Sequence, residues 1–243
     1  METVVVGGGI AGIAAAVRCE ALGHRVTVYD PCPLGGLAQT AEPAPGWTIE
    51  TGPHTFLGRS RQLLSLVDGL GLAGEVVPLD GGARFLRRWG RLRRFPLGLG
   101  ELLRVVAGIF RSPASGPSVR DWFAARFGTS VADEVVGGLV TGIWAAGPEQ
   151  LDMAACFPAL HASGSVLRYL RRPRAPGGTF TLAGGLGRIG TAAAGKLRHV
   201  ATAVDEVVQR GKGWVLRVGG AEVEAEAVVV ACPAWRLGAL LPW

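Results

Sequence analysis

The 243-residue sequence predicts an α/β fold in which a parallel-sheet domain carries an inserted, mostly helical domain. Three observations predict it: a βαβ pattern near the start, a helix-rich middle, and a return to alternating strands and helices from Gly184. The predicted boundaries are 1–82 for the first part of the α/β domain, 83–176 for the insert and 177–243 for the second part.

The βαβ pattern begins with Val4–Val6, an apolar run typical of a buried parallel strand. The alanine-rich segment 10–22 predicts a helix that Gly23 ends, and RVTVYD at 25–30 predicts the next strand. The segment 31–54 is broken by glycine and proline, so it predicts turns rather than regular structure.

The middle of the chain predicts helices. Ser118 with Asp121 matches a capping box, and Ser130 with Asp133 repeats the pattern. The arginine-rich segment before them predicts a solvated loop and strand edge. The predicted helices lie within 59–72, 95–110, 118–128, 129–140 and 153–170.

Gly7, Gly9 and Gly12 match G-x-G-x-x-G between the first strand and its helix. Gly7 permits the tight turn, Gly9 lets backbone approach a pyrophosphate, and Gly12 allows close helix–strand packing. Asp30 ends the second strand, where its carboxylate can bind ribose hydroxyls and disfavours a 2′-phosphate. The pattern predicts a Rossmann-like site for NAD or FAD. The glycine pair in LGG at 34–36 favours the longer cofactor, FAD.

A second formal match follows at Gly185, Gly187 and Gly190, with Asp205 twenty residues beyond Gly185. The segment before it is a weak strand, and Asp205 lies inside AVDEVV rather than at a strand end. We therefore expect a helix start packed against the first cofactor, not a second dinucleotide site. A strand over 200–209, a hairpin and a buried strand in EAEAVVVACPA complete the α/β pattern.

The net charge of +6 is uneven, because six arginines lie between Arg84 and Arg94 and a smaller cluster follows at 168–174. No nucleic-acid-binding signature accompanies them, so we expect no nucleic acid partner. The remaining functional interpretation of these arginines is that they bind an anionic membrane surface or an anionic substrate. No apolar run approaches the roughly 20 residues of a membrane span.

The four cysteines form no C-x-x-C pair, which argues against a disulfide framework and a zinc site. A reducing cytoplasm is the compartment that this cysteine usage predicts, and no export signal is visible. Cys232, after an apolar run, is predicted to be inert packing rather than a catalytic thiol.

Together these motifs resemble the flavin-containing amine oxidases and, within that group, the protoporphyrinogen oxidase family. The resemblance rests on GGGIAG, Asp30, LGG and GWTIETGPHTFLG, and more specifically on RFLRRWGRLRRFP and GIWAAGPEQL…FPAL. These segments keep the family's order and cover nearly the whole chain. Members of the family are considerably longer and add elements that close over the flavin and the substrate. The chain is therefore expected to be an N-terminal half.

The resemblance implies noncovalent FAD and two substrate contacts. Arg84 matches an arginine that pairs with a substrate propionate, and Gly142 matches a glycine that lines the substrate cavity. No catalytic acid or base and no metal ligand is predicted. The implied FAD-binding residues are Gly7, Gly9, Ile10, Ala11, Gly12, Asp30, Gly35, Gly36, Gly52, Pro53, His54 and Val204.

The implied activity is oxidation of a porphyrinogen in haem biosynthesis, with FAD as cofactor and oxygen as acceptor. The residues do not choose between protoporphyrinogen IX and coproporphyrinogen III. The alternatives are another flavin amine oxidase or carotenoid desaturase-like enzyme, and an inactive fragment. Further implied partners are the inner face of the cell membrane, contacted by the helical insert, and a second copy or a completing chain.

Overall fold

The computed structural model describes residues 1–58, 60–79, 85–94, 97–111, 117–172 and 178–242. The chain forms two compact units, one made of Met1–Gly81 with Pro176–Trp243 and the other of Gly82–Ala175. The assignment of these parts as an FAD-binding domain and a substrate domain, with the boundaries given above, stays a prediction.

The first unit opens with the predicted βαβ pattern, whose strands and helix are confirmed. The prediction of turns over 31–54 was wrong in part, because two strands pair there in an antiparallel hairpin. Pro43 and the exposed side chains of this hairpin remove the alternation that indicates a strand. The elements are β1 (Glu2–Val6), α1 (Ile10–Ala21), β2 (Arg25–Tyr29), β3 (Thr40–Ala44), β4 (Trp47–Glu50), β5 (Phe56–Leu57), α2 (Arg61–Gly69) and β6 (Val76–Leu79).

The second unit is mainly helical, but the segment predicted to be a solvated loop and strand edge forms a hairpin. Both residues of its two-residue turn, Trp89 and Gly90, have positive φ, as a type I′ turn requires. The predicted helix over 153–170 is three short helices, with Gly164 left-handed between the last two. The elements are β7 (Leu86–Arg88), β8 (Arg91–Arg93), α3 (Leu99–Ile109), α4 (Val119–Phe127), α5 (Gly137–Trp144), α6 (Met153–Cys156), α7 (Pro158–Ser163) and α8 (Val166–Leu170).

The chain then returns to the first unit. The segment EAEAVVVACPA was predicted to be one buried strand, but it divides at Glu226 into two strands that join different sheets. The elements are β9 (Thr179–Leu182), α9 (Arg188–Ala194), β10 (Arg198–Val200), β11 (Val204–Arg210), β12 (Gly213–Val218), β13 (Ala221–Ala225), β14 (Ala227–Val230) and α10 (Leu237–Leu240).

A four-stranded parallel sheet in the order β10-β2-β1-β14 is the centre of the first unit. Val5 of β1 lies between Val28 of β2 and Val229 of β14, and Val5 and Val28 are fully buried. Because β14 comes from the end of the chain, the sheet joins both parts of this unit. The α/β class is confirmed.

In the first unit, the glycine turn after β1, the turn at 34–36 and the start of α9 pack against one another through backbone atoms. Gly36 has a φ of +60°, and a Cβ there would lie 2.9 Å from the Gly9 Cα. A Cβ at Gly190 would overlap the carbonyl oxygen of Leu34. The Gly35 N–H donates to the Gly8 carbonyl oxygen at 2.8 Å. Any side chain at Gly36 or Gly190 would force these turns apart.

Arg88 corrects the expectation that the arginine-rich segment is solvated. Its side chain is fully buried. The guanidinium donates two hydrogen bonds to Glu101, at 2.8 and 2.9 Å, and one each to Glu134 and Ser130, both at 2.7 Å. These acceptors offset the cost of desolvating the charge, so Arg88 joins β7 to the helices of the second unit.

Of the two predicted capping boxes, only the first caps its helix. The Ser118 Oγ accepts a hydrogen bond from the Asp121 N–H at 3.0 Å, at the start of α4. The prediction for Ser130 was wrong, because a π-helical segment, Val131–Val136, follows it and its hydroxyl bonds to Arg88 and Glu101.

We expect Arg88→Met to lower the free energy of unfolding by about 3–5 kcal/mol, because it leaves Glu101 without its buried guanidinium partner. Urea denaturation followed by circular dichroism measures the change. Arg120→Met is the matched control, since it removes an exposed ion pair with Asp133 and should change stability little. Identical denaturation of the Arg88→Met and wild-type proteins would contradict the role of Arg88.

Stability should also fall in acid. Arg88, with smaller contributions from Ser130 and the Gly98 N–H, lowers the pKa of Glu101 from 4.5 to about 2. This carboxylate therefore stabilises the fold above pH 4.5, and the contribution is lost as the pH falls through about 2. Urea titrations between these pH values should show the decline, and Glu101→Gln should flatten it. An equally steep decline in Glu101→Gln would assign it to other groups.

Gly190→Ala should lower the free energy of unfolding by about 3 kcal/mol, because a backbone carbonyl cannot move aside as a flexible side chain can. A decrease in the free energy of unfolding would be informative, because alanine in place of glycine otherwise stabilises a helix. Gly100→Ala, in α3 with open space at its Cβ, is the control and should be neutral or stabilising. Thermal unfolding followed by circular dichroism compares the two variants, and equal midpoints would refute the packing argument.

Candidate functional site

A cavity of about 910 Å³ opens in the first unit, at the carboxyl ends of β1, β2 and β14. Ligands of open parallel sheets bind outside this edge of the strands. The volume is within the range of small-molecule and cofactor sites. The lining residues fall within 6–11, 29–32, 35–39, 203–205 and 231–240, together with Pro53.

The N terminus of α1 forms one wall. Gly9 is the N-cap residue; no side chain caps the helix and no acid lies in its first turn. The first N–H groups of a helix have no partner within it and carry a partial positive charge. A Cβ at Gly9 would meet no protein atom within 4 Å, so the space beside this residue belongs to the cavity. An anion can approach this backbone closely.

Asp30 follows β2 and also lines the cavity. Its carboxylate accepts hydrogen bonds from the Gly8 N–H at 2.6 Å and from the Cys32 N–H at 2.8 Å, one on each oxygen. The glycine turn therefore sets the position of the carboxylate. Each oxygen keeps further acceptor capacity, which suits a pair of neighbouring hydroxyls such as those of a ribose.

Most of the residues predicted to bind FAD line this cavity, namely Gly7, Gly9, Ile10, Ala11, Asp30, Gly35, Gly36, Pro53 and Val204. Three do not. Gly12 packs against the Gly7 carbonyl oxygen, as its predicted packing role requires, while Gly52 packs against the Leu37 carbonyl oxygen and His54 is exposed. The ligand contacts themselves stay predictions.

The two predicted substrate residues are outside this site. Arg84 lies outside the described residues. Gly142 is exposed on α5 of the second unit, with open space at its Cβ. Their roles stay predictions.

Sequence reasoning missed the wall formed by the segment after β14. This segment contributes Ala231, Cys232, Pro233, Arg236, Ala239 and Leu240. The available signal was the buried strand AVVV, because a parallel strand beside β1 delivers the residues that follow it to the same edge of the sheet. Cys232, predicted to be inert packing, lines the cavity; its reactivity stays untested.

The second glycine motif is used within the protein. The Leu186 N–H donates to Glu50 at 2.7 Å, and the Gly187 N–H donates to the Thr40 hydroxyl at 2.9 Å. Thr40 in turn donates to Glu50 at 2.8 Å. Because the hairpin β3–β4 takes these N–H groups, they are not free to bind phosphate. The motif is therefore a helix start packed within the protein; none of its residues lines the cavity, and its predicted packing against the first cofactor stays a prediction.

The cavity fits the adenosine-diphosphate part of a dinucleotide. The uncapped N terminus of α1 suits the phosphates, and Asp30 suits the ribose. Within the residues that the structure describes, no group of three or more His, Cys, Asp or Glu side chains is arranged to hold a metal ion. Within the same residues, none of the helices has the length and apolar character needed to span a membrane.

Comparison with known proteins agrees with this geometry. The family model described as flavin containing amine oxidoreductase matches residues 10–243. A coproporphyrinogen III oxidase of Mycobacterium bovis is 29% identical over an alignment 271 positions long, which covers 98% of this chain and 60% of the relative. Human protoporphyrinogen oxidase is 33% identical over an alignment 184 positions long, which covers 65% of this chain and 38% of the relative.

Solved structures show the same fold. A protein from Exiguobacterium sp. 255-15 superposes with a TM-score of 0.79 at 23% identity, covering 99% of this chain and 61% of that one. Cyclohexylamine oxidase from Brevibacterium oxydans IH-35A gives a TM-score of 0.75 at 20% identity, covering 99% of this chain and 60% of that one. The chain thus spans about 60% of the length of these proteins.

The family match covers all but the first nine residues, and its description names the flavin that the glycine turn, Asp30 and LGG predict. It supports FAD as the cofactor. The chain belongs to the flavin-containing amine oxidoreductase family.

Proposed function

We propose that this chain supplies the adenosine-diphosphate part of the FAD site of a porphyrinogen oxidase. The observation that carries the proposal is the cavity at the carboxyl edge of the parallel sheet, where the uncapped N terminus of α1 and Asp30 lie together. The names of the relatives, coproporphyrinogen III oxidase and protoporphyrinogen oxidase, supply the substrate class.

Each wall of the cavity has a separate task. The N–H groups at the start of α1 bind the diphosphate, and Gly9 lets it approach. Asp30 accepts hydrogen bonds from the ribose hydroxyls, and Val204, at the start of β11, lies at the adenine end. When bound, FAD supplies the two-electron oxidation, and the chain's residues hold and orient it.

On the substrate side, Arg84 pairs with a propionate, because the planar guanidinium presents two parallel N–H groups to a carboxylate. Gly142 lines the space for the ring system. The substrate is protoporphyrinogen IX or coproporphyrinogen III, which differ in their number of carboxylates, and oxygen is the electron acceptor.

The first test is FAD uptake by the purified 243-residue chain. Titration with FAD should quench flavin fluorescence and leave a yellow protein after gel filtration. The loaded protein is then given each porphyrinogen and, separately, an amine, with porphyrin fluorescence and hydrogen peroxide as readouts. A chain that takes up no FAD contradicts the proposal and favours an inactive fragment. Oxidation of the amine alone favours another flavin oxidase.

Gly9→Ala should weaken FAD binding about tenfold or more and leave stability near that of the wild type. The added methyl group projects into the cavity and meets no protein atom within 4 Å. Fluorescence titration measures the affinity, and thermal unfolding without FAD measures the stability. Gly74→Ala, also open at its Cβ but outside the cavity lining, should change neither. Unchanged affinity in Gly9→Ala would contradict the placement of the diphosphate.

A peripheral membrane contact through the second unit is also proposed. The apolar side chains of Leu99, Leu103, Val106 and Phe110 recur at helical spacing along α3 and are exposed. Arg104 lies on the same helix, so an apolar stripe and positive charge occur together, as in helices that lie on anionic membranes. This contact would place the protein at the inner face of the cell membrane.

Sedimentation with vesicles tests this contact. The protein should bind vesicles that contain anionic phospholipid more strongly than neutral ones, and Leu103→Asp should reduce the binding severalfold. Leu64→Asp, on the partly exposed side of α2 in the first unit, is the matched control. Equal binding by Leu103→Asp and the wild type would exclude α3 as the contact. We also propose that the chain acts as a homodimer or with a completing second chain, and gel filtration of the purified chain tests for the homodimer.

A further inference from the structure

The segment after β14 presents one of its faces to the cavity. A 3₁₀ turn, Ala234–Arg236, leads directly into α10. The lining residues Pro233, Arg236 and Leu240 recur at intervals of three and four, and residues at this spacing share one face of a helix. Trp235 lies between them, is 83% exposed and does not line the cavity. Arg236 therefore belongs to the cavity-facing side.

Arg236 differs in charge from the other residues that line the cavity. Among the lining residues that the structure describes, it is the only lysine or arginine, against the two carboxylates Asp30 and Asp205. Asp30 is already held by two backbone N–H groups. Within the described part of the chain, Arg236 has neither an ion pair nor a side-chain hydrogen bond. Its guanidinium is free to bind an incoming group.

A cation in the cavity would strengthen the binding of a diphosphate. The N terminus of a helix supplies a charge equivalent to only about half an elementary charge. Two carboxylates in the same cavity oppose the approach of a doubly negative diphosphate, and opposition is strong where water is partly excluded. A guanidinium offers two parallel N–H donors that match the oxygens of a phosphate.

We propose that the guanidinium of Arg236 binds the diphosphate of the cofactor. Its positive charge adds to the partial positive charge at the N terminus of α1. This inference rests on the proposed function, since it assumes that the cavity takes an adenosine diphosphate. It makes Arg236 a cofactor-binding residue that the glycine motif does not indicate.

Ligands of increasing charge test the inference. Adenosine, AMP and ADP are titrated by calorimetry into the wild-type chain and the Arg236→Gln and Arg236→Lys variants, at low and high salt. Arg236→Gln should bind ADP about tenfold more weakly, the effect of one charge-assisted contact, while adenosine affinity stays unchanged. Its ADP affinity should also depend less on salt. Arg236→Lys should retain more ADP affinity than Arg236→Gln.

The outcomes separate the inference from the function beneath it. Arg18→Gln, an exposed arginine of α1 outside the cavity lining, is the matched control and should bind ADP as the wild type does. Unchanged ADP affinity in Arg236→Gln, or an equal loss for adenosine and ADP, overturns the role at the diphosphate. A wild-type chain that binds neither ADP nor FAD overturns the proposed function and this inference together. Circular dichroism verifies that each variant is folded.

Discussion

The close packing of glycine backbones is the constraint on which the candidate site depends. The turn after β1, the turn at 34–36 and the start of α9 touch through backbone atoms of Gly9 and Gly36 and of Leu34 and Gly190. Gly190 brings α9 against Leu34, and Gly36 packs against Gly9. This packing brings the N terminus of α1 and the turn at 35–39 to the same cavity.

At the edge of the sheet, the cavity holds a negative carboxylate close to the partial positive charge of a helix N terminus. Asp30 places a carboxylate beside a helix N terminus, and its hydrogen bond to the Gly8 N–H ties the two together. A ligand that carries both hydroxyls and phosphates matches this arrangement, whereas a simple anion would meet the carboxylate at a cost. In the function proposed here, these two features together select a nucleotide, with Arg236 as the proposed third.

In the second unit, the pairing of opposite charges stabilises the fold instead of binding a ligand. Arg88 resembles its arginine neighbours in the sequence, yet it is buried among Glu101, Glu134 and Ser130. Carboxylates offset the desolvation of this buried cation, and those acids come from segments that follow it by more than ten residues. The remaining exposed arginines and the apolar side of α3 are what this unit offers to other partners.

The sequence by itself determined the α/β class, the first βαβ unit and the glycine turn with Asp30, because strand burial, helix propensity and turn geometry are local properties. It also carried the family resemblance. Only the tertiary structure decided three other matters. The N–H groups of the second glycine motif donate to Thr40 and Glu50, the side chain of Arg88 is buried, and Arg236 lines the cavity. Each depends on contacts between residues far apart in the chain, and no local pattern encodes which distant segment supplies the partner.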